Sequence, residues 1–176
     1  MIKIIYNKTV KKLGEKIAQK KDAVPAGGTT SALNGYLGVS LLELVFNVSK
    51  NNFNENNIEE IEKTLAKAEN KFLFLMNKDI EVYKTNSKTH FKVKENLKKL
   101  IETPLQIVIT SSEIITLTAK FENNVKKKVI ADYDIALENL KTAKKGAKII
   151  IQSNYQFFDE NSKFIKNIKR KLENLC

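Results

Sequence analysis

The sequence predicts an all-α fold, an antiparallel bundle of about six helices with a buried central helix. Only six of the 176 residues are glycine and two are proline, so long helices can run without interruption. Apolar residues recur at steps of three and four along most segments, which is the period of an amphipathic helix. An apolar share of 42% and a charged share of 29% are typical of globular proteins, and the length suits one domain over residues 1–176.

The first two predicted helices flank a loop that contains proline and glycine. The first helix covers about residues 8–20 and has an apolar face formed by Val10, Leu13 and Ile17. The loop, residues 24–28, precedes Thr29 and Thr30, either of which can cap the second helix. That helix extends to about Ser49.

The second helix is apolar around nearly its whole circumference. Such a helix belongs at the centre of a bundle, where neighbouring helices cover every side. A glycine inside a helix costs about 1 kcal/mol relative to alanine, so Gly35 and Gly38 indicate a packing or ligand-binding reason.

Four further helices are predicted. The first of them starts at residue 58 and ends between residues 83 and 94, and the others cover residues 98–120, 129–154 and 159–175. Pro104 lies inside the second of these and predicts either a kink or the true start of that helix. The stretch 107–117 is rich in Ile, Val and Thr, which leaves a strand as an alternative there.

The formal net charge of +11 predicts either an anionic partner or simply good solubility. Arg170 is the only arginine. Proteins that read nucleic-acid sequence rely on arginine for bidentate contacts to bases, so its scarcity argues against a nucleic-acid reader.

The chain offers few residues for metal, disulfide or membrane chemistry. Cys176 and His90 are the only residues of their types, so we expect no disulfide within the chain and no metal site built from them. The apolar stretch in residues 1–6 is too short for a signal peptide and is already interrupted by a charge at Lys3. The apolar run 37–48 is interrupted by Glu43 and is too short to span a membrane. These features predict a cytoplasmic protein without a membrane segment.

Two acids fall on helix faces that are predicted to point inward. Asp79 continues the apolar stripe of the third helix, and the stripe of the fifth helix begins with Asp132 and ends with Asn154. A buried carboxylate is usually paired or functional because leaving it alone is costly. The alternative for each acid is a helix-end residue or one half of a structural ion pair.

Three further features carry weaker signals. Gly27, Gly28 and Thr29 open the second helix, where free backbone N–H groups can bind an anion or polar ligand; a tight turn is the plainer interpretation. Lys50 ends that helix and can complement its dipole. His90 is expected on the surface.

Taken together, these residues resemble the cyclodeaminase/cyclohydrolase family, which includes the C-terminal half of formiminotransferase-cyclodeaminase and the free-standing methenyltetrahydrofolate cyclohydrolases. The similar segments, in chain order, are Pro25–Thr29, Asn47–Phe53, Asp79–Tyr83, Pro104-Leu105, Ala131-Asp132, Gly146-Ala147 and Ile150–Asn154. Where the family has Gly, Ser and Asn, this chain has Ala26, Ala131 and Ile150.

With a folate as substrate, the net charge of +11 predicts a preference for polyglutamylated forms. The resemblance implies an all-α, usually dimeric enzyme that acts on a tetrahydrofolate derivative and needs no tightly bound cofactor. It implies a catalytic role for Asp79 and Lys50. It further implies that the substrate contacts Gly27, Gly28, Thr29, Asp132 and Asn154.

Several functions remain open at this point. Cyclodeamination of 5-formiminotetrahydrofolate leads, and hydrolysis of methenyltetrahydrofolate is the alternative. A basic helical binding module without catalysis is a third hypothesis, motivated by the net charge of +11. A family member that binds folate without turnover is a fourth, motivated by Ile150.

Overall fold

The computed structural model describes residues 10–19 and 23–175, and within them it contains α-helices, short 3₁₀ turns and no β-strand. The α-helices are α1 (Val10–Ala18), α2 (Gly27–Ser49), α3 (Glu55–Lys88), α4 (Lys94–Ala119), α5 (Ile130–Asn154) and α6 (Lys163–Glu173). The all-α prediction is therefore confirmed. The alternative strand at 107–117 is wrong, because these residues lie inside α4.

Helices α2, α3, α4 and α5 form an antiparallel four-helix bundle. Each packs against its neighbour in the chain, and α5 returns to pack against α2. Short connections join them, which favours antiparallel neighbours. The largest fully buried side chains of this core include Phe46, Phe72, Ile101, Tyr133 and Leu140.

Helix α2 lies at one corner of the bundle, between α3 and α5. Its inward residues Val39, Leu42 and Val45 are completely buried. On the opposite side Leu37 is 46% exposed and Leu44 is 48% exposed. The predicted cover on every side of α2 is therefore incomplete within one chain.

The two interior glycines of α2 have a packing reason. A Cβ on Gly35 would overlap the ring of Phe72 in α3. A Cβ on Gly38 would lie 2.9 Å from the carbonyl oxygen of Ala136 in α5, which is closer than real contacts allow. Both glycines thus let neighbouring helices approach α2.

The start of α2 differs from the prediction. The helix begins at Gly27, and neither threonine caps it, because both lie inside its first turn. The Thr29 hydroxyl instead donates to Asp79, and the Thr30 hydroxyl donates to the carbonyl of Gly27.

The structure differs from the prediction in α4 and in α1 as well. Helix α4 begins at Lys94, so Pro104 lies in its interior and does not mark its start. In α1, Leu13 is buried but Val10 is 89% exposed, so the predicted apolar face packs only in part. Residues 8, 9 and 20 of that predicted helix lie outside the described residues.

Two helical segments, Gly27–Asn52 and Lys94–Ala119, are long and apolar enough to cross a membrane by length and composition alone. The expectation that no segment reaches this length is therefore not met. Both segments pack against other helices of the bundle, and the core helices of soluble proteins pass the same test. We interpret both as core helices.

Candidate active site

A cavity of about 170 Å³ lies where the start of α2 meets the last third of α3, the first half of α4 and the end of α5. It brings together residues that are far apart in the sequence. Its lining includes Gly27, Gly28, Asp79, Tyr83, Lys99, Thr103, Pro104, Ile150 and Asn154. Four of the seven predicted site residues thus line one cavity.

Asp79 reaches from α3 to the first turn of α2. Its Oδ2 accepts a hydrogen bond of 2.9 Å from the hydroxyl of Thr29, and its carboxylate also accepts from the backbone N–H of Thr29. The approach depends on Gly28, since a Cβ there would overlap the carboxylate. The carboxylate therefore occupies the N-terminal end of α2, where unpaired N–H groups and the helix dipole favour negative charge.

The pKa of Asp79 is raised above its ordinary value. Burial is the main cause, and the two hydrogen bonds from Thr29 lower the pKa only in part. A carboxyl group whose pKa moves towards neutrality is better suited to accept a proton and return it. Its position in a cavity makes it a candidate for proton transfer.

Asp79 also has a structural role. Ala26, the residue before α2, has no side chain that could cap the helix. The Asp79 carboxylate supplies the missing acceptor from a different helix. The structural and catalytic interpretations of Asp79 are therefore compatible, because a cap that holds the carboxylate also orients it.

Asn154, at the end of α5, contacts the opposite wall of the cavity. Its Nδ2 donates a hydrogen bond of 2.8 Å to the carbonyl oxygen of Leu100 in α4. Because a carbonyl only accepts, this bond orients the amide and leaves its Oδ1 as an acceptor.

Aromatic side chains support the wall formed by Tyr83, one turn beyond Asp79. The ring of Phe91 lies 5.8 Å from that of Tyr83 and stacks on Phe157 at 5.2 Å. Phe91 and His90 adopt left-handed backbone conformations, with φ of 56° and 49°, at the corner between α3 and α4. His90 is exposed, as predicted.

Comparison with known proteins shows the family of this chain. The sequence profile of one family, described as formiminotransferase-cyclodeaminase, matches residues 9–174. The chain belongs to the formiminotransferase-cyclodeaminase family. The predicted resemblance is therefore confirmed over nearly the whole sequence.

The fold of this family member is also found in a solved structure. The chain is similar to the crystal structure of formiminotetrahydrofolate cyclodeaminase from Thermotoga maritima, with a TM-score of 0.88 and 18% sequence identity. The similarity covers 97% of this chain and 89% of that one, and at this identity it shows the shared fold. Among curated proteins, none matches the sequence significantly.

Two predicted site residues of this family member, Lys50 and Asp132, lie away from the cavity. Lys50 ends α2 and pairs with Glu62 at 2.8 Å. Asp132 lies in the first turn of α5, where its charge suits the helix dipole. At 1.5 Å per residue, each is about 33 Å along its helix from the cavity end. Lys50, to which the resemblance gave a catalytic role beside Asp79, therefore does not reach Asp79 within one chain.

Three residues that line the cavity were not predicted as site residues from the sequence. Tyr83 was noted only as part of a motif, and Lys99 and Thr103 were not singled out. The available signal was their spacing: Lys99 and Thr103 are four residues apart, and Thr103 directly precedes Pro104. Lys99 is the lysine that lines the cavity among its described residues, and Lys50 does not line it.

The departure at Ile150 also maps to the cavity. Ile150 lines it beside Gly27, and a Cβ on that glycine would be in ordinary contact with the Ile150 side chain at 3.4 Å. Where the family has an amide, this chain thus presents an apolar wall opposite the start of α2.

Proposed function

We propose that this protein is a formimidoyltetrahydrofolate cyclodeaminase, in which Asp79 transfers the proton. The observation that carries the proposal is the position of the Asp79 carboxylate, which lines the cavity and accepts hydrogen bonds from Thr29 at the start of α2. Burial raises the pKa of this carboxyl group. Membership of the formiminotransferase-cyclodeaminase family supports the choice of reaction.

The reaction closes a ring and expels ammonia. In the protonated formimino group, N10 of the folate attacks the carbon that N5 carries, and a C–N10 bond forms. A proton then moves from N10 to the former imine nitrogen, which leaves as ammonia when its bond to carbon breaks. The electron pair of N5 completes the methenyl cation. The protonated substrate and the methenyl product therefore each carry one positive charge, and ammonia leaves uncharged.

One positioned carboxylate can perform the proton step. The Asp79 carboxylate accepts the proton from N10 and donates it to the departing nitrogen. Such general acid–base catalysis contributes about 10²- to 10⁴-fold in rate. Thr29 keeps the carboxylate in place, and no tightly bound cofactor is required.

The other cavity residues suit the binding of a pterin. The Oδ1 of Asn154 is an acceptor, and the pterin ring has N–H donors at its edge. The first turn of α2, at Gly27 and Gly28, provides backbone close to the carboxylate. Ile150 and Pro104 provide apolar surface for the ring faces.

Both candidate reactions can be followed with the purified protein. We expect 5-formiminotetrahydrofolate to give the ultraviolet absorption of methenyltetrahydrofolate together with one equivalent of ammonia. If methenyltetrahydrofolate is consumed and the formimino compound is not, the protein is instead a cyclohydrolase that uses the same carbon. Binding of folate without either turnover would identify a non-catalytic member, as Ile150 allows.

A homodimer is part of the proposal. The uncovered side of α2 exposes Leu37 and Leu44 by 46% and 48%. Leu33 and Leu41 are partly buried and lie on the same side by helical spacing. A second copy of the chain would cover this apolar stripe.

The natural substrate that we propose is a polyglutamylated folate in the cytoplasm. A net charge of +11 suits a polyanionic substrate, and a single cysteine suits a reducing compartment. We do not assign a nucleic-acid partner, because arginine is nearly absent.

A further inference from the structure

Lys99 lies at the junction of two depressions on the protein. Together with Thr103, one turn further along α4, it lines the Asp79 cavity. The same two residues line a second, more open depression of about 580 Å³ between α3, α4 and α6. We call this second depression the basic groove.

The basic groove has a cationic lining. Lys71, Lys78, Lys99 and Lys171 line it, against one acid, Glu102, among the described residues of its lining. Phe74 lies among them and is 57% exposed, with the Nζ of Lys71 6.0 Å from its ring centre. An open, cationic groove suits an anionic ligand.

Lys99 is exposed, and its charge acts on Glu95 only from beyond ion-pair distance. Within the described residues, no ion pair with an N–O distance up to 4.0 Å includes Lys99, whereas Lys98 pairs with Glu95 at 2.7 Å and Lys78 with Glu81 at 3.0 Å. Hydrogen bonds from Thr29, and not a lysine, are what lower the pKa of Asp79. Among the described residues, Lys99 forms no ion pair with the Asp79 carboxylate.

We propose that Lys99 is a substrate-binding residue of the site, and that its ammonium binds the first carboxylate of the glutamate tail of the folate. This inference rests on the proposed function. A cavity of about 170 Å³ holds the pterin end alone, so the anionic end must leave it. The exit past Lys99 leads into the basic groove, where Lys71 and Lys171 meet the later glutamates.

The test compares wild type, Lys99→Gln and Lys98→Gln with monoglutamyl and polyglutamyl 5-formiminotetrahydrofolate at low salt. We expect Lys99→Gln to raise KM about tenfold for both substrates, which corresponds to about 1.4 kcal/mol. We expect kcat to stay the same, because the lost contact is equal in ground and transition states. Lys98→Gln removes the same charge one residue away and should keep both constants. Lys71→Gln should raise KM for the polyglutamyl substrate alone.

The outcomes separate this inference from the proposed function. If wild type turns over and Lys99→Gln has the KM of Lys98→Gln, or loses kcat instead, the role of Lys99 is refuted and the proposed function stands. If wild type shows no turnover, the proposed function fails, and binding of tetrahydrofolate to the same proteins decides the role of Lys99. About tenfold weaker binding to Lys99→Gln supports it. Equal binding, or none to wild type, overturns it.

Discussion

The side-chain amide of Asn154 donates to the carbonyl of Leu100, at 2.8 Å, and this is the carbonyl that Pro104 leaves without its helical donor. In an α-helix the carbonyl of residue i accepts from the N–H of residue i+4, and proline has no N–H. Asn154 replaces the missing donor from α5. Asn154, which belongs to a segment that resembles the family, therefore also stabilises the packing of α5 against α4.

This relationship predicts a specific coupling between Asn154 and Pro104. Asn154→Ala leaves the Leu100 carbonyl without a strong donor and should cost about 1–3 kcal/mol of stability. Pro104→Ala restores the backbone donor, so in that background the cost of Asn154→Ala should fall by at least about 0.5 kcal/mol. Urea unfolding of the four proteins measures the cycle. Strictly additive effects would show that the two residues act independently.

We predict that Asp79→Asn folds normally, still binds folate and loses about 10²- to 10⁴-fold in kcat. The Asn side chain retains an oxygen that can accept from Thr29, so the start of α2 stays capped. Asp134→Asn changes an exposed acid of α5 in the same way and serves as the control. Rates near wild type in folded Asp79→Asn would make the carboxylate purely structural.

Gly28→Ala should displace the Asp79 carboxylate while leaving the rest of the bundle in place. The added Cβ overlaps the end of a flexible side chain, so Asp79 can rotate away but loses its bonds to Thr29. We expect the activity to fall by about 10²-fold or more. Gly14→Ala is the control, since a Cβ there meets nothing within 4 Å and alanine should stabilise α1 by about 0.5–1 kcal/mol. Equal activities of the two variants would contradict the importance of this close approach.

The raised pKa of Asp79 predicts a pH dependence of stability. An acid whose pKa is raised in the folded state binds its proton more tightly there than in the unfolded chain, where the pKa is near 3.8. Its contribution is therefore greatest at low pH and is lost as the pH rises from about 3.8 through the folded-state pKa. Urea unfolding of wild type and Asp79→Asn across this range should show wild type losing stability relative to the variant. A constant difference would exclude the shift.

The activity should depend on pH in the opposite sense. Because Asp79 must be ionised to accept the N10 proton, kcat/KM should fall at low pH, with a midpoint above 3.8.

A dimer through α2 predicts that Leu44→Glu is monomeric. The substitution places a carboxylate in an apolar stripe that a second copy would bury, which disfavours association. Light scattering measures the mass, and Val93→Glu, at an exposed position before α4, should leave the assembly unchanged. A wild-type protein that is monomeric at all concentrations would refute the dimer.

Much of the fold follows from local pattern. The period of apolar residues predicted the helices. The predicted helix ends differ from the structure where an end residue bonds to a distant part of the chain. Thr29 was expected to cap its own helix because threonine at such a position usually does. Only the packed structure shows that its hydroxyl donates to Asp79, fifty residues away.

The sequence by itself determined the helical period of this protein and which turn opens α2, because side-chain spacing and glycine content are local properties of the chain. Four of the residues that it singled out, Asp79, Gly27, Gly28 and Asn154, line one cavity. Only the tertiary structure decided at which end of the bundle each residue lies. Periodicity defines a face of a helix but not a height along it, and α2 and α5 are each more than 30 Å long, at about 1.5 Å per residue. Antiparallel packing therefore put Lys99 and Asp79 in the lining of one cavity and left Lys50 at the far end.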